Sequence, residues 1–384
     1  MRFALLFALI LGLGIWLFNE YLQREDVFVP IDTIEYWGAA KLLIAGQNPY
    51  DPALLLQTEQ TQDPRLGKAV MLWNPPWSLA WITPLGYLPF KFAVLLWMIG
   101  ILIAIFWSTY LLSRQYVPVP PLWLPLLFAP SYFLLAWGQF TGLVLLGLSA
   151  FVWAMRREKP YLAGIAFSLT AIKPHLLLLV GLGVALRCYR SHYYRKVVCS
   201  SLVTLAVLSA FLLLFRPYLW SDYQTSLALK ASAQHDTLRD WENPTLSYWL
   251  RITVAPEQFW VQFVPVSIAG FVVLIFYAWG RYQPRLDHLP VGVLLSVILS
   301  PYGAWPFDLV LLLIPLLQAA YLWKSGPTSL GRTLLFFSFL LSQAAVLLRW
   351  NWFHVEFLWY PLLMGLLYGL TRALNRPSTD RVPT

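Results

Sequence analysis

The chain has 384 residues, is 59% hydrophobic and 12% charged, and has a mean hydropathy of +0.62, which excludes an ordinary soluble domain. Apolar runs of about 16–24 residues recur along it, long enough to cross ~30 Å of hydrocarbon as helix, whereas a closed barrel would show ~10-residue alternating segments. The net charge of +9 sits in loops between those runs, where it reports topology and gives no support to nucleic-acid binding.

In chain order, Phe3 to Phe18 follows Arg2, and the next residues, Asn19-Glu20-Tyr21-Leu22-Gln23, offer no small-residue cleavage site. This run reads as an uncleaved anchor with its N-terminus in the cytoplasm. A first outer loop follows over about 19–70, with an amphipathic turn at the bilayer surface led by Asp32. Residues 70–88 contain Pro75, Pro76 and Pro84, and are expected to dip into the membrane and return. Crossings are expected at about 92–112, 121–136 and 139–155. Residues 161–186 are broken at Lys173-Pro174 and read as two half-helices of a re-entrant hairpin. Further crossings follow at 197–215, 257–280, 288–300, 308–323, 331–349 and 355–370, with a long outer loop over 216–256. The expectation is one membrane domain over 1–375 and a short cytoplasmic tail over 376–384. Cys188 and Cys199 flank a basic loop and form no C-x-x-C pair.

These boundaries place most of the 27 basic residues on the cytoplasmic side, among them Arg156, Arg157, Arg187, Arg195, Arg285 and Arg372, and most of the 18 acidic ones outside. Both termini are then cytoplasmic. Twenty Trp and twenty Tyr, many beside charged loops, fit interfacial belts. Every polar motif falls on the outer face: Asp32, Asn74-Pro75-Pro76, Gly138-Gln139, Lys173-Pro174-His175, Pro301 to Asp308, and Arg349-Trp350-Asn351. Convergence of scattered motifs on one side is what an active site requires.

Asp32 reads as a general base, a carboxylate at the water–lipid boundary able to take a proton from an acceptor hydroxyl. The string Asp32-Thr33-Ile34-Glu35 reads equally well as a helix N-cap with its capping-box partner. Glu35, one turn on, would shift the pKa of Asp32 or deputise for it. Asp51, before Pro52, reads as a turn residue. Lys173 lies within an apolar stretch, where a charge is costly. A broken helix end with a cation holds an anion well, and His175 adds a donor; the alternative is a lysine that snorkels to the outer interface. Gln139 reads as an interhelical hydrogen-bond partner or a substrate contact, and Asp308 as a helix N-terminal cap or dipole partner. Arg349, beside Trp350, reads as an interfacial anchor or a phosphate ligand.

The chain has no GxxxxGK[ST] loop, no H-E-x-x-H and no D-x-D, and its five histidines are scattered. No metal and no cofactor is expected, and a metal-dependent nucleotide-sugar enzyme is disfavoured. A substrate already carried on a lipid phosphate needs only a base and one or two cations.

The ordered blocks Asp32…Tyr36-Trp37…Gly46-x-Asn48-Pro49-Tyr50-Asp51-Pro52, Asn74-Pro75-Pro76, Trp137-Gly138-Gln139, Ile172-Lys173-Pro174 and Ser300-Pro301-Tyr302 to Asp308 resemble glycosyltransferase family 87 over roughly residues 1–325. That resemblance implies a GT-C-type all-α polytopic bundle with about 10–13 membrane helices. It implies inverting transfer of a hexose, often mannose, from a polyprenyl-phosphate sugar to a lipid or glycan acceptor at the outer face of a prokaryotic plasma membrane. Asp32 would then be the catalytic base, with Glu35, Asn74, Gln139, Lys173, His175, Asp308 and Arg349 as substrate-binding residues. Some members of the family carry a histidine in the late block, which reads Pro301-Tyr302-Gly303-Ala304-Trp305-Pro306-Phe307-Asp308 here, without one. The rival readings are a lipid or solute transporter or flippase, and an inactive scaffold of the same fold.

Overall fold

The computed structural model describes residues 30–116, 121–228, 242–325, 330–348 and 355–375. The expected crossing at 2–18, Arg349 and the tail from 376 lie outside them. Among the described residues the chain is helical with no strand. Five helices are long and apolar enough to cross a membrane: Phe90–Arg114, His192–Leu213, Phe259–Ala278, Leu330–Leu348 and Val355–Leu374. Shorter apolar helices run over Thr141–Met155, Leu286–Ile298 and Asp308–Trp323. The chain is an integral, multi-pass helical membrane protein.

Helix α1 spans Ile31–Ile44 and α2 Pro52–Gln60. The sequence suggests an amphipathic surface turn for α1, but the helix is enclosed: Asp32 through Ala40, with Leu42 and Leu43, are all buried. The reason is packing on several sides. Trp37 Nε1 donates to the Leu88 carbonyl at 3.0 Å, and Gly86 comes so close that a Cβ there would stand 2.7 Å from the Ala40 carbonyl. Gly38 faces Leu55 and Glu59 of α2. Tyr36, Trp97 and Phe140 form a ring cluster with centroids 4.3–5.6 Å apart. Within the stretch expected to dip and return, residues 76–87 fold as short pieces: 3-10 turns at Pro76–Ser78 and Thr83–Tyr87 flank α3, Leu79–Ile82.

Helix α4, Phe90–Tyr116, exposes Leu96, Ile99, Ile103 and Trp107 on one stripe, a lipid-facing surface on a membrane helix. The expected crossing at 121–136 is not a continuous helix. Pro121, Pro125 and Pro130 break it into a 3-10 turn at Leu124–Leu127 and the nine-residue α5, Ala129–Trp137, about 14 Å long. Helix α6, Thr141–Met155, packs between α4 and α7, Pro160–Ser168. Helix α8 runs Leu178–Arg190 and α9 His192–Leu213. Gly164 of α7 lies against the Val197 carbonyl and Ser200 of α9, with no room for a Cβ, so only glycine permits this approach. The stretches Pro160–Ile172 and Pro174–Arg190 meet at 120°, so the break read from Lys173-Pro174 is a sharp bend. The remaining helices are α10 Leu246–Val254, α11 Val264–Ala278, α12 Leu289–Ile298, α13 Leu313–Ser325, α14 Leu330–Leu348 and α15 Trp359–Leu374.

Candidate active site

The site is assembled where α1 begins, where α6 begins, at the bend before α8, and in the turn that precedes α13. Helix α1 has Pro30 at its N-cap, so Asp32 stands inside the first turn and makes no capping bond. The capping reading therefore fails, and the carboxylate is free for other work. Its Oδ2 accepts from Gln139 Nε2 at 2.5 Å, and the other end of that amide, Oε1, accepts from Tyr36 OH at 3.1 Å. Gln139 is thus an interhelical partner, as the sequence suggested, and the group it holds is Asp32. Asp51, by contrast, accepts from the backbone N–H groups of Ala53 and Leu54 and caps α2.

Burial pushes the Asp32 carboxyl up to about 6, against the opposing pull of the Gln139 bond and Lys173, while Asp308 adds to the rise. Glu35 is also raised, well above the usual carboxylate range, by burial and then by Asp32 and Glu59. Glu59, whose Oε2 accepts from Val70 N at 2.9 Å, is raised by burial to about 7.

Lys173 does not snorkel. It is 5% exposed at the apex of the bend, and its ammonium donates to Asp308 Oδ1 at 2.8 Å across a sequence separation of 135 residues. The cation also lies 4.9 Å from the Phe307 ring centroid. Asp308, 0% exposed, takes a second bond from Thr141 Oγ1 on Oδ1, and its Oδ2 accepts from Trp305 N at 3.2 Å. It heads the 3-10 turn Asp308–Leu312, as a helix-start acid should, but its principal partner is the lysine. The ammonium has three donors and Asp308 occupies one of them. Asn74 Nδ2 donates to the Ile172 carbonyl at 3.1 Å and Trp77 Nε1 to the Ala171 carbonyl at 2.9 Å, so the bend is tied to the proline-rich block. His175 stands 5.7 Å, ring to ring, from Tyr302, and its carbonyl accepts from Ser300 Oγ at 3.2 Å.

Of the residues singled out in sequence, Asp32 and Gln139 bond to one another, Lys173 bonds to Asp308, Asn74 and His175 brace the bend, and Glu35 is buried one turn from Asp32. Arg349 lies outside the described residues. Sequence reading missed Tyr36 and Thr141 as partners, and it missed the pairing of Lys173 with Asp308. The signal for the last was present: opposite charges in two apolar stretches have strong reason to find each other.

Gly138 ends α5 with φ 71°, and its carbonyl accepts from Trp97 Nε1 at 2.6 Å. A Cβ there would run into Thr33 Oγ1, next to Asp32. Gly138→Ala is therefore expected to cost about 1–2 kcal/mol in backbone strain alone. It would also push α1 off the site. A lowered thermal midpoint together with a lowered turnover is the expected result, and an unchanged turnover would mean that α1 does not need this seat.

The glycosyltransferase family 87 model matches residues 73–301, more than half of the chain. That span holds Asn74, Gln139, Lys173 and His175; Asp32 precedes it and Asp308 follows it. No curated protein and no solved structure matches.

Proposed function

The chain belongs to glycosyltransferase family 87, and from that premise we propose that it moves one hexosyl group, mannose-like, from a polyprenyl-phosphate sugar to a lipid or glycan acceptor, with inversion and without a metal. The observation that carries this reading is the burial of a carboxylate held by Gln139, Asp32, within electrostatic reach of a buried lysine, Lys173, that is itself seated on Asp308. Asp32 accepts the proton of the acceptor hydroxyl as that oxygen attacks the anomeric carbon from the face opposite the phosphate. The new carbon–oxygen bond forms as the bond to the phosphate oxygen breaks, and the leaving polyprenyl phosphate keeps the electron pair. Lys173 answers the growing charge with the donors that Asp308 leaves it. A single displacement needs one base and no second carboxylate nucleophile. Gln139 positions Asp32, Asn74 positions the bend, and His175 supplies an imidazole beside Tyr302 in the late block that lacks its own histidine.

Sidedness follows from charge. Helix α6 joins the Lys173–Asp308 end, through Thr141, to an opposite end where Arg156 pairs with Asp287 at 3.1 Å. Arg187, Arg285 and Arg372 gather at that opposite end, so we place it in the cytoplasm and the reaction at the outer face of a prokaryotic plasma membrane.

The test is label transfer by purified protein in nanodiscs, given a panel of radiolabelled polyprenyl-phosphate sugars, a panel of nucleotide sugars, and host lipid extract as acceptor. Transfer from a polyprenyl-phosphate sugar, insensitive to EDTA, is expected. Transfer from nucleotide sugars alone would overturn the donor assignment. The pH profile is a second check. A base must be ionised to work, so kcat/KM should hold a plateau above about pH 6 and fall tenfold per unit below it. A flat profile from pH 5 to 8 would remove Asp32 from the role.

A further inference from the structure

The far end of the bundle holds a cavity that the proposed reaction does not use. Helix α8 runs from Leu178 to Arg190, about 20 Å, and along its face from Leu179 to Arg187 lies a pocket of about 60 Å³. Its floor is apolar, formed by Val180 and Val184 of α8 with Gly292 of α12. Its rim carries Arg187, Arg285 and His288.

Two nitrogens on this rim are buried without a hydrogen-bond partner: Arg187 Nε and His288 Nδ1. Neither ring contact satisfies them. The Arg187 guanidinium lies 5.2 Å from the Tyr194 ring centroid, and His288 stacks on Tyr282 with centroids 5.4 Å apart. Arg285, Asp287 and Arg372 all stand close enough to act on His288 electrostatically, two cations against one anion. The acid beside the pocket, Asp287, is already paired with Arg156. The rim thus offers positive charge and unspent hydrogen-bonding groups, and the lining contributes no anion to answer them. Desolvated groups left this way cost stability unless a ligand satisfies them.

The surroundings identify the ligand. Trp279 and Tyr189 are 67% and 80% exposed beside α11 and α8, and Arg190 and Arg281 lie over the rings of Tyr277 and Trp279. Exposed aromatic rings interleaved with arginines mark the headgroup level of a bilayer. Arginine forks match phosphate oxygens, and a basic cup with apolar walls between membrane helices suits a phosphate that carries acyl chains. We propose that this pocket binds a phosphate group, carried by an anionic membrane lipid of the leaflet opposite the reaction, and that the bound headgroup stabilises the fold.

Thermal unfolding in detergent tests the idea on the full chain, with phosphatidylglycerol, phosphatidylcholine or inorganic phosphate added in separate arms. Phosphatidylglycerol should raise the wild-type midpoint by about 5 °C when well above its Kd, and the other two additions should do little. Arg187→Gln with Arg285→Gln should abolish the shift. Arg157→Gln with Arg190→Gln removes the same charge at the same end, outside the cavity lining, and should keep it. Should the pocket pair fail to fold, Arg285→Gln alone, at an exposed position, is expected to weaken the response at least tenfold in lipid concentration. An equal shift in pocket and control variants would overturn the location. A full shift with inorganic phosphate, and none further with lipid, would overturn the lipid assignment.

Discussion

Asp32→Asn is expected to lower turnover by about 10²–10⁴-fold with almost no change in thermal midpoint. The two halves of that expectation come from the same geometry. Asparagine is isosteric, and its amide oxygen still accepts the bond from Gln139 Nε2 that now reaches Oδ2 at 2.5 Å. Removing a carboxylate that burial already penalises should cost the fold little. What disappears is the capacity to accept a proton from the attacking hydroxyl. Label transfer at saturating donor and acceptor reads the first half, and thermal unfolding reads the second. Retention of transfer within about tenfold of wild type would place the base elsewhere. Loss of transfer with a collapsed midpoint would make Asp32 structural.

Lys173→Met carries the largest expected stability effect, a loss of about 3–5 kcal/mol, because it leaves Asp308 charged, buried and without its cation. Asp308→Asn alone should hurt by the converse route. The informative variant is the pair, Lys173→Met with Asp308→Asn. It removes both charges, while the new amide oxygen still accepts from Thr141 and from Trp305 N. Thermal stability should return most of the way to wild type. Activity should not return, since the proposed reaction loses the ammonium it assigns to the leaving phosphate. A double variant as unstable as Lys173→Met alone would mean that the charges themselves are not what the pair is for. A stable double variant with wild-type turnover would remove Lys173 from the reaction.

What could be read in the sequence divides along physical lines. Membrane character is a property of composition and run length, and five long apolar helices among the described residues agree with it. The break at Lys173-Pro174 is local stereochemistry and becomes a 120° bend. Lys173 is legible because a charge within an apolar stretch carries a desolvation cost, and Asp32 because it is a carboxylate at the expected water–lipid boundary. The enclosure of α1 was not legible, because a 14-residue helix with mixed side chains looks alike at a surface and inside a bundle. Its burial depends on Leu88, Gly86 and Phe140, which are distant in sequence. The capping reading of Asp32 fails for a local reason, since Pro30 takes the N-cap and sets Asp32 inside the first turn. The interruption at 121–136 has its cause in plain sight, Pro121, Pro125 and Pro130, whereas apolar composition by itself does not distinguish a broken stretch from a continuous crossing.

The bend at Lys173 is braced by Asn74 and Trp77 on one flank and Ser300 on the other. A cation held from both sides has its orientation fixed before any sugar arrives. The segment 216–228 is joined to the rest differently, through the Arg216 bond to the Gly46 carbonyl and ring contacts of Trp220 and Tyr223 with Trp77 and Tyr50. Both ring contacts reach the brace, Trp220 through Trp77 and Tyr223 through Tyr50, whose hydroxyl donates to the Asn74 carbonyl at 3.3 Å. A change in the segment 216–228 is therefore transmitted to the seat of Lys173, so the segment and the bend form one packed unit.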